Sequence, residues 1–377
     1  MISIWEKESL LKYDFVIVGS GIVGLQTAIQ LKEKFPKRSV LILERGLLPT
    51  GASTRNAGFA ATGSLSELVA DSQYESEQEI FDLFSSRKAG LDFLRNQLGD
   101  EAIGFENNGS FELLEASEVD ILDHMDHYNN LLKSLNNQQA IFKMNHDKLK
   151  EFGFSINKFK YCLNNNTEAA LNTGKLMRSL NLLALNKGVQ IITGAELISY
   201  NDLGNKIELL VNDSFRKENL IFTTEKMVIC TNAFSKTFFP DEDMQPGRGQ
   251  IILTKPIENL PFKGIFHFGA GYYYFRNLGN RVLFGGGRNI AFEEETTTEL
   301  KLNQNIIAHL KSLLKEQILP HLEFEIEMEW SGIMAFGKSK TPIISSINER
   351  IIGGFRLGGM GVALGSILAC QIVDRID

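Results

Sequence analysis

The sequence predicts an α/β protein with two domains: a Rossmann-like nucleotide-binding domain and an α+β domain that contains an antiparallel sheet. Three observations lead to this prediction. The chain opens with a strand, a glycine turn and a helix start, and a second glycine-rich helix start follows a strand at residues 351–365. Between them, residues 246–330 consist mainly of short β-like runs bounded by Gly or Asn. The 377 residues correspond to about two and a half domains at roughly 150 residues each.

The composition is that of an ordinary globular protein. The 39 basic and 46 acidic residues give a net charge of −7, with 43% hydrophobic and 23% charged residues, which disfavours disorder and a nucleic-acid-binding surface. Cys162, Cys230 and Cys370 form no CxxC pair, so we expect a reducing compartment rather than a disulfide framework. The six histidines form no HExxH or HxH pattern, so we expect no metal site.

The beginning of the chain lacks the pattern of a membrane segment. Its first apolar stretch, residues 15–25, is too short and too rich in glycine to span a bilayer. Residues 1–14 lack the apolar core of a signal peptide. We therefore expect a cytoplasmic protein with no transmembrane segment.

The opening strand and turn predict a site for the pyrophosphate of a dinucleotide. The run YDFVIV predicts a strand, and the turn GSGIVG follows it directly. In such a turn Gly19 permits the sharp bend, Gly21 lets the backbone approach the phosphates, and Gly24 allows the helix to pack closely on the strand. The amides of the helix start, at Ile22 and Val23, favour an anion. A glycine turn without a ligand is the alternative.

The next strand ends in a carboxylate. After the run SVLIL comes Glu44, 20 residues beyond Gly24. A carboxylate in this place accepts hydrogen bonds from the hydroxyls of the adenosine ribose, and it repels a 2′-phosphate. NADP is therefore disfavoured.

The stretch after this strand is small and polar. It begins with Arg45 and Gly46 and continues as GASTRNAGF over residues 51–59, where the backbone can come close to a flat polar ring system. A solvated loop is the alternative from composition alone. With this stretch the chain resembles the D-amino-acid-oxidase-like FAD-dependent oxidoreductases, the family of glycine oxidase, sarcosine oxidase and γ-glutamylputrescine oxidase. In that family the segment lies beside the flavin.

The resemblance extends over nearly the whole chain. Residues 168–200 are similar to the family's internal helix and returning strand pair, and their leucine spacing independently predicts a helix that ends at Gly188. The segments MVICTNA, at 227–233, and PGRGQ, at 246–250, match a further cofactor contact and the entry into the substrate domain. Residues 351–365 match the helix start that points at the flavin pyrimidine, where free amides stabilise the negative charge of the reduced ring.

The resemblance implies FAD as the cofactor, held non-covalently because Gly332 stands where sarcosine oxidases carry the cysteine linked to flavin. The residues expected to hold it belong to the segments above, with Leu197 added from the returning strand pair. They are Gly19, Gly21, Ile22, Val23, Gly24, Glu44, Arg45, Gly46, Ser53, Thr54, Arg55, Asn56, Ala57, Gly58, Leu197, Thr231, Asn232, Ala233, Gly332, Gly358, Gly359, Met360, Gly361 and Val362.

These assignments divide the chain into two domains. The FAD-binding domain is discontinuous, with residues 1–75, 165–245 and 331–377. The substrate domain contains residues 76–164, predicted to be mostly helical, and 246–330, predicted to be mostly strand. A helix predicted over 297–315 would pack on that sheet through its apolar stripe.

Three consecutive tyrosines mark the expected substrate pocket. Tyr272, Tyr273 and Tyr274 stand where the family places an aromatic residue above the substrate. Alternation along a strand would direct Tyr272 and Tyr274 to one face and Tyr273 to the other. Core or edge packing of all three is the alternative, and His267 is expected to be structural.

The chain departs from the family pattern at the pocket. Met334 stands where many amino-acid oxidases of the family carry the arginine that binds the substrate carboxylate, and Leu283 replaces the lysine that some members use to promote reaction with oxygen. Arg276, Arg288 and Arg356 remain as candidates for an anionic substrate. Arg356 has the most favourable position of the three because it precedes the cofactor-facing glycines.

The resemblance implies an oxidoreductase that oxidises the C–N bond of an amine or amino acid by hydride transfer to flavin N5. Such chemistry requires geometry rather than an acid–base side chain. An FAD-dependent dehydrogenase of a 2-hydroxy acid and a non-catalytic flavin-binding protein are the alternatives. The expected partner is a small molecule.

Overall fold

The computed structural model describes residues 2–213 and 218–377. Its α-helices are Ile4–Ser9 (α1), Ile22–Lys34 (α2), Ala52–Arg55 (α3), Leu65–Asp71 (α4), Glu77–Leu98 (α5), Asp100–Ile103 (α6), Met125–Leu132 (α7), His146–Phe152 (α8), Thr173–Asn186 (α9), Gln304–Leu313 (α10) and Gly361–Asp374 (α11). Its strands are Lys12–Val18 (β1), Val40–Glu44 (β2), Phe59–Ala60 (β3), Ser110–Glu115 (β4), Phe142–Met144 (β5), Phe159–Asn165 (β6), Ala169–Ala170 (β7), Gln190–Thr193 (β8), Ala195–Asp202 (β9), Ile207–Asp213 (β10), Glu218–Ile229 (β11), Gln245–Thr254 (β12), Ile265–Phe268 (β13), Tyr273–Leu278 (β14), Arg281–Gly286 (β15), Ile326–Phe336 (β16), Ile343–Asn348 (β17) and Ile351–Phe355 (β18). Shorter 3₁₀ segments occur at Ala116–His124, Lys133–Asn136, Asn232–Thr237 and Arg288–Ile290, and a π-helical turn at Leu314–Ile318.

The first sheet has parallel strands at its centre. Its order is β17-β18-β11-β1-β2-β8. The five strands from β18 to β8 run parallel to one another, whereas β17 is antiparallel to β18. Strands β9 and β10 extend it as an antiparallel pair next to β11. Phe15 and Ile17 of β1 pack in the core with α2, α9 and α11, whereas Val16 and Val18 pack on the opposite side. Central parallel strands are covered on both faces, which explains this continuous burial.

The second sheet has the order β16-β12-β15-β14-β13-β4-β6-β5. Its neighbouring strands are antiparallel except for β13 and β4. One face packs against α8 and α10 over a core rich in aromatic rings, which bury about 150–250 Å² each. The phenylalanines of this core are Phe111, Phe152, Phe154, Phe159, Phe262, Phe266, Phe268, Phe275 and Phe284.

The observed elements differ from the sequence-based expectation in two places. Residues 76–164 are mostly helical as predicted, but they also supply β4, β5 and β6 to the second sheet. The helix predicted over 297–315 begins only at Gln304, because the side chain of Asn303 accepts hydrogen bonds from the amides of Asn305 and Ile306 and caps it. Leu300, expected in its apolar stripe, is 45% exposed.

Two contacts bear on the domain boundaries. The expected boundary at 330/331 falls within β16, which pairs with β12 along most of its length. Helix α5 packs tightly on α11, since an ideal Cβ on Gly90 would lie 1.8 Å from the carbonyl oxygen of Ala363. The division into two domains stays a prediction.

Within the described residues, no helix combines the length and the apolarity that crossing a bilayer requires.

Candidate active site

The glycine turn between β1 and α2 has the close contacts that its sequence predicts. Gly19 has a φ of +101° and donates its amide to the carbonyl of Leu43 at 2.8 Å. An ideal Cβ on Gly24 would lie 1.9 Å from the carbonyl oxygen of Gly19, so no side chain fits between helix and turn. The side chains of Ile22 and Val23 are buried in the core, and the amide of Ile22 donates to the hydroxyl of Ser53 at 3.0 Å. An anion at the start of α2 would therefore meet backbone amides and the Ser53 hydroxyl rather than apolar side chains.

Glu44 lies beside this turn at the end of β2. Its carboxylate accepts hydrogen bonds from the amide of Ser20 at 3.0 Å, from the Ser20 hydroxyl at 2.8 Å and from the amide of Gly46 at 3.0 Å. The residue is 8% exposed. The carboxylate therefore joins the carboxyl ends of β1 and β2, where the ribose of a dinucleotide was expected. The Arg45 guanidinium lies 3.9 Å above the ring of Phe234 and not on the turn.

The polar segment around α3 is held by its own side chains. Thr54 donates to the carbonyl of Pro49 at 2.6 Å, and Arg55 donates to the carbonyls of Thr50 and Ser331 at 3.0 and 2.8 Å. Asn56 accepts from the amide of Gly58 at 2.8 Å. The expectation that Thr54, Arg55 and Asn56 offer side-chain groups to a cofactor is not supported by these contacts. Their side chains shape the loop.

Ser53, Ala57 and Gly58 complete this segment. The hydroxyl of Ser53 accepts a hydrogen bond from the amide of Ile22 at 3.0 Å, which places Ser53 at the start of α2. Ala57 is buried against the second sheet, and Gly58 has a φ of +73° that favours glycine. The segment therefore connects the glycine turn with the second sheet.

Residues 231–233 lie next to the same turn. The methyl carbon of Thr231 would be 3.6 Å from an ideal Cβ on Gly19. Asn232 has a φ of +48° and accepts a hydrogen bond from the amide of Arg356 at 3.2 Å, and Ala233 is buried. Leu197 lies farther away on β9, half-buried against the first sheet.

The loop before α11 opens the second glycine-rich helix start. Gly358 and Gly359 have φ values of +55° and +83°. An ideal Cβ on Gly358 would meet no atom within 4 Å, and one on Gly359 would meet only Sδ of Met334 at 3.6 Å. Met360 precedes the first turn of the helix, which begins at Gly361, and the side chain of Val362 is buried. Among the described residues, Met334 is thus the one side chain that comes within 4 Å of either position.

The second sheet presents a surface without side chains toward this space, which we call the glycine face: Gly247, Gly249, Gly285 and Gly332. Gly249 pairs with Gly332 across β12 and β16, and Gly247 pairs with Met334. An ideal Cβ on Gly249 would lie 2.9 Å from Cε of Met334 and 3.8 Å from the hydroxyl oxygen of Tyr274. The glycine face thus makes room for these two side chains to lie flat on the sheet.

Tyr273 and Tyr274 point to opposite faces of β14, as predicted, whereas Tyr272 lies before the strand. Tyr273 turns to the core, where its hydroxyl lies 2.9 Å from Nε2 of His309. Tyr274 lies on the glycine face, and burial raises its pKa to about 12. Within the described residues its hydroxyl has no hydrogen-bond partner. Tyr272 is 43% exposed beside Phe292, at the rim rather than inside.

Arg356 does not fit the role expected of it. Its guanidinium donates to the carbonyl of Asp243 at 2.9 Å, to the Asp243 carboxylate at 3.0 Å and to the carbonyl of Thr341 at 2.7 Å. The residue is 7% exposed and has a φ of +63°. The protein itself occupies this guanidinium, so Arg356 is a structural residue that holds the loop before α11.

Sequence reasoning missed Phe59, which stands between two groups near the glycine face. Its ring makes edge contacts with Tyr274 at 5.7 Å and with His267 at 5.2 Å. Nε2 of His267 lies 3.4 Å from the buried carboxylate of Glu168. Burial alone would lower the pKa of His267, but this carboxylate raises it. The glycine spacing at 247 and 249 was the available signal for the glycine face.

Among residues 2–213 and 218–377, no three His, Cys, Asp or Glu side chains lie close enough together to hold a metal ion.

Comparisons with known proteins agree with this arrangement. The family model described as FAD dependent oxidoreductase, DAO, matches residues 14–375. The probable oxidoreductase OrdL of Haemophilus influenzae is 21% identical over 381 residues, which cover 96% of this chain and 82% of that protein.

Solved structures resemble the whole chain. Glycine oxidase from Geobacillus kaustophilus superposes with a TM-score of 0.77 at 16% identity, covering 97% of this chain and 96% of that one. L-proline dehydrogenase from P. horikoshii gives 0.74 at 17% identity, with 97% and 93% covered. L-amino acid deaminase from Proteus vulgaris gives 0.72 at 19%, with 97% and 90% covered. At these identities the likeness shows the fold.

Proposed function

The chain belongs to the DAO family of FAD-dependent oxidoreductases, and we propose that its reaction is the oxidation of the C–N bond of an amine or amino acid. The observation that carries this proposal is the glycine face, which lies across from the loop before α11 with Met334 between them. The names of the similar structures, glycine oxidase, L-proline dehydrogenase and L-amino acid deaminase, support a substrate that contains nitrogen.

The residues present fit FAD. Gly21 offers a place where a Cβ would approach only Ser53, 2.9 Å from its hydroxyl oxygen, and Gly358 offers one where a Cβ meets nothing. We propose that the amides at the start of α2 hold the pyrophosphate and that Glu44 accepts hydrogen bonds from the ribose. The amides at the start of α11 would hold the end of the cofactor that gains negative charge.

When bound, the flavin supplies a two-electron acceptor for the hydride that leaves the substrate carbon. The substrate nitrogen loses a proton, and the resulting C=N bond is hydrolysed by water to a carbonyl compound and a free amine or ammonia. The chain must therefore orient the C–H bond and accommodate a neutral amine.

Side chains on the glycine face suit these tasks. Phe59 and Met334 form apolar walls, and an apolar surrounding favours the neutral form of an amine over the ammonium ion. Tyr274 stays protonated near neutral pH because its pKa is about 12, so its hydroxyl can donate a hydrogen bond to the substrate. No side chain of this face needs to take up a proton in the hydride transfer itself.

Anaerobic mixing tests the proposal. The purified holoenzyme is mixed without oxygen with separate panels of amines, amino acids and 2-hydroxy acids, and the loss of flavin absorbance is recorded. We expect bleaching by at least one amine or amino acid, with one equivalent of carbonyl product per flavin. Bleaching by 2-hydroxy acids alone would contradict C–N oxidation.

A tyrosine pair provides the matched control. Tyr274→Phe should slow the bleaching at least about tenfold, since one hydrogen bond to a reacting group contributes on the order of 1.4 kcal/mol. Tyr273→Phe changes the adjacent residue, whose hydroxyl faces the core, and should leave the rate near the wild-type value. Equal rates in both variants would remove Tyr274 from the site.

A further inference from the structure

The three arginines near the site differ in how the protein uses them. Arg276 donates to the carbonyls of Gly58 and Leu171 at 2.9 and 2.7 Å, and Arg356 is held by Asp243 and Thr341. Within the described residues, the side chain of Arg288 makes no hydrogen bond and no ion pair, and its Nε is buried without a partner. Of the three, it alone has a guanidinium available to a ligand.

The guanidinium of Arg288 lies over the glycine face. An ideal Cβ on Gly247 would be 2.9 Å from its Cζ and 2.5 Å from the ring of Phe336. Gly249, two residues along the same strand, places its Cβ against Met334 and toward the Tyr274 hydroxyl. Two residues of a strand span roughly 6.5–7 Å, so Arg288 lies on the same face of the sheet as Met334 and Tyr274, about one strand repeat away.

Two aromatic rings hold this guanidinium in place. Its Cζ lies 4.4 Å from the ring centre of Phe336 and 5.1 Å from that of Phe292. Such stacking orients the planar group and leaves its edge free to bind a carboxylate through two parallel hydrogen bonds. The orientation therefore exists before any ligand arrives.

Among the residues that the structure describes, no carboxylate is available to pair with Arg288. The carboxylate whose charge reaches it, Glu295, is paired with Arg248 at 2.7 Å and also accepts from Gln250 and Asn303. Burial lowers the pKa of Arg288, but arginine remains charged near neutral pH. A half-buried cation without a partner is unfavourable, and an anionic ligand would relieve this.

We propose that Arg288 binds a carboxylate of the substrate, so that the site takes an amine that also carries a carboxylate group. That the substrate is an amine rests on the proposed C–N oxidation. That it carries a carboxylate is inferred from the surroundings of Arg288 and does not depend on that proposal. It places the anion-binding residue after β15, whereas Met334 occupies the position on β16 where the family resemblance places an arginine.

A binding experiment without turnover tests it. Benzoate and benzamide have nearly the same shape and differ in charge, and either one reports its binding next to the flavin by changing the flavin absorbance. Benzoate, benzamide and acetate are each titrated separately into the holoenzyme in low-chloride buffer. Wild-type protein should bind benzoate at least about tenfold more tightly than benzamide.

Two substitutions of Arg288 and one control give the decisive comparison. Arg288→Met and Arg288→Gln should each raise the dissociation constant of benzoate roughly 30- to 100-fold and leave that of benzamide unchanged. Arg281→Met removes a charge of the same sign from the same hairpin, where it pairs with Glu327 at 3.2 Å, and should change neither value. FAD content and thermal midpoint are measured for each variant.

The outcomes separate this inference from the proposed function. Unchanged benzoate affinity in a folded, FAD-loaded Arg288 variant would overturn the assignment, as would a wild-type protein whose flavin responds to neither benzoate nor acetate. If no amine bleaches the flavin but the benzoate difference is found, the C–N oxidation fails and the carboxylate site stands.

Discussion

At the scale of single residues, the glycines of the opening turn serve two different purposes. A Cβ on Gly24 would lie 1.9 Å from the backbone oxygen of Gly19, so any side chain there separates α2 from the turn. A Cβ on Gly21 would approach only the hydroxyl oxygen of Ser53, at 2.9 Å, and a short side chain can turn away. Gly24 is therefore required by the fold, whereas we propose that Gly21 is required by the pyrophosphate of the cofactor.

Gly21→Val tests this distinction. The fold should persist because the added Cβ meets only one movable hydroxyl, while the remaining methyl groups fill the space that the pyrophosphate needs. We expect protein with native circular dichroism that purifies colourless. Gly24→Val, the comparison variant, should fail to give folded protein. A Gly21→Val protein with stoichiometric FAD would contradict the assignment of this turn.

At the scale of elements, buried charges attach two helices to the connection between β16 and β17. Lys340 contacts Glu67 at 2.8 Å and Asp71 at 2.7 Å, both on α4, and Arg87 of α5 contacts Glu67 at 3.0 Å. Burial would raise the pKa of Glu67, but the charges of Arg87 and Lys340 lower it to about 2. The carboxylate thus stabilises the folded protein in its ionised form.

Glu67→Gln should make stability depend less on pH. The folded-state pKa of Glu67 lies below its usual value of 4.5, so its contribution is complete above pH 4.5 and decreases as the pH falls toward 2. Arg87 is 2% exposed and loses its charged partner in this variant. We therefore expect the free energy of unfolding to fall by about 3 kcal/mol at pH 7. Urea denaturation at several pH values measures the difference between variant and wild type.

An exposed glutamate provides the control for this series. Glu101→Gln on α6 removes the same charge at the surface and should change stability by less than about 0.5 kcal/mol at every pH. A Glu67→Gln difference that stays constant from pH 7 to pH 3 would show that the carboxylate acts through packing and not through its charge.

At the scale of the whole molecule, the segment around α3 joins the two sheets at the site. Arg55 donates to the carbonyl of Ser331, and Trp330 donates its ring N–H to the carbonyl of Arg55 at 3.0 Å. Gly332 follows directly, and a Cβ there would lie 3.1 Å from Cβ of Arg55. A side chain at position 332 would therefore press on Arg55, and glycine itself supplies no sulfur for a covalent flavin link.

FAD should accordingly leave the protein unmodified. Of the three cysteines, Cys162 and Cys230 are buried with thiol pKa values raised to about 12, so neither offers a thiolate to the flavin. After heat or acid precipitation the yellow colour should appear in the supernatant, with the mass of free FAD. Yellow colour that stays in the protein pellet would demonstrate a covalent bond.

Features that depend on neighbouring residues could be predicted from the sequence. The glycine turn, the helix that follows it and the helix that the leucine spacing indicates within 168–200 are all present. The opposite directions of Tyr273 and Tyr274 follow from strand alternation alone. The family, and with it FAD, was identified because its motifs are local as well.

Which arginine is free could only be decided by the tertiary structure. Arg356 was expected to bind an anionic substrate because it precedes the glycines at 358 and 359. In the structure its guanidinium donates hydrogen bonds to Asp243, which is 113 residues away in the sequence. Strand β4 was missed for the same reason, since its partner β13 comes much later in the chain. Strand propensity and charge are properties of a short window, whereas a side chain's partner is chosen by folding, which brings distant residues together. Local sequence thus specified the turns, the family and the cofactor; folding decided that Arg356 supports a loop and that the side chain of Arg288 has no partner among the described residues.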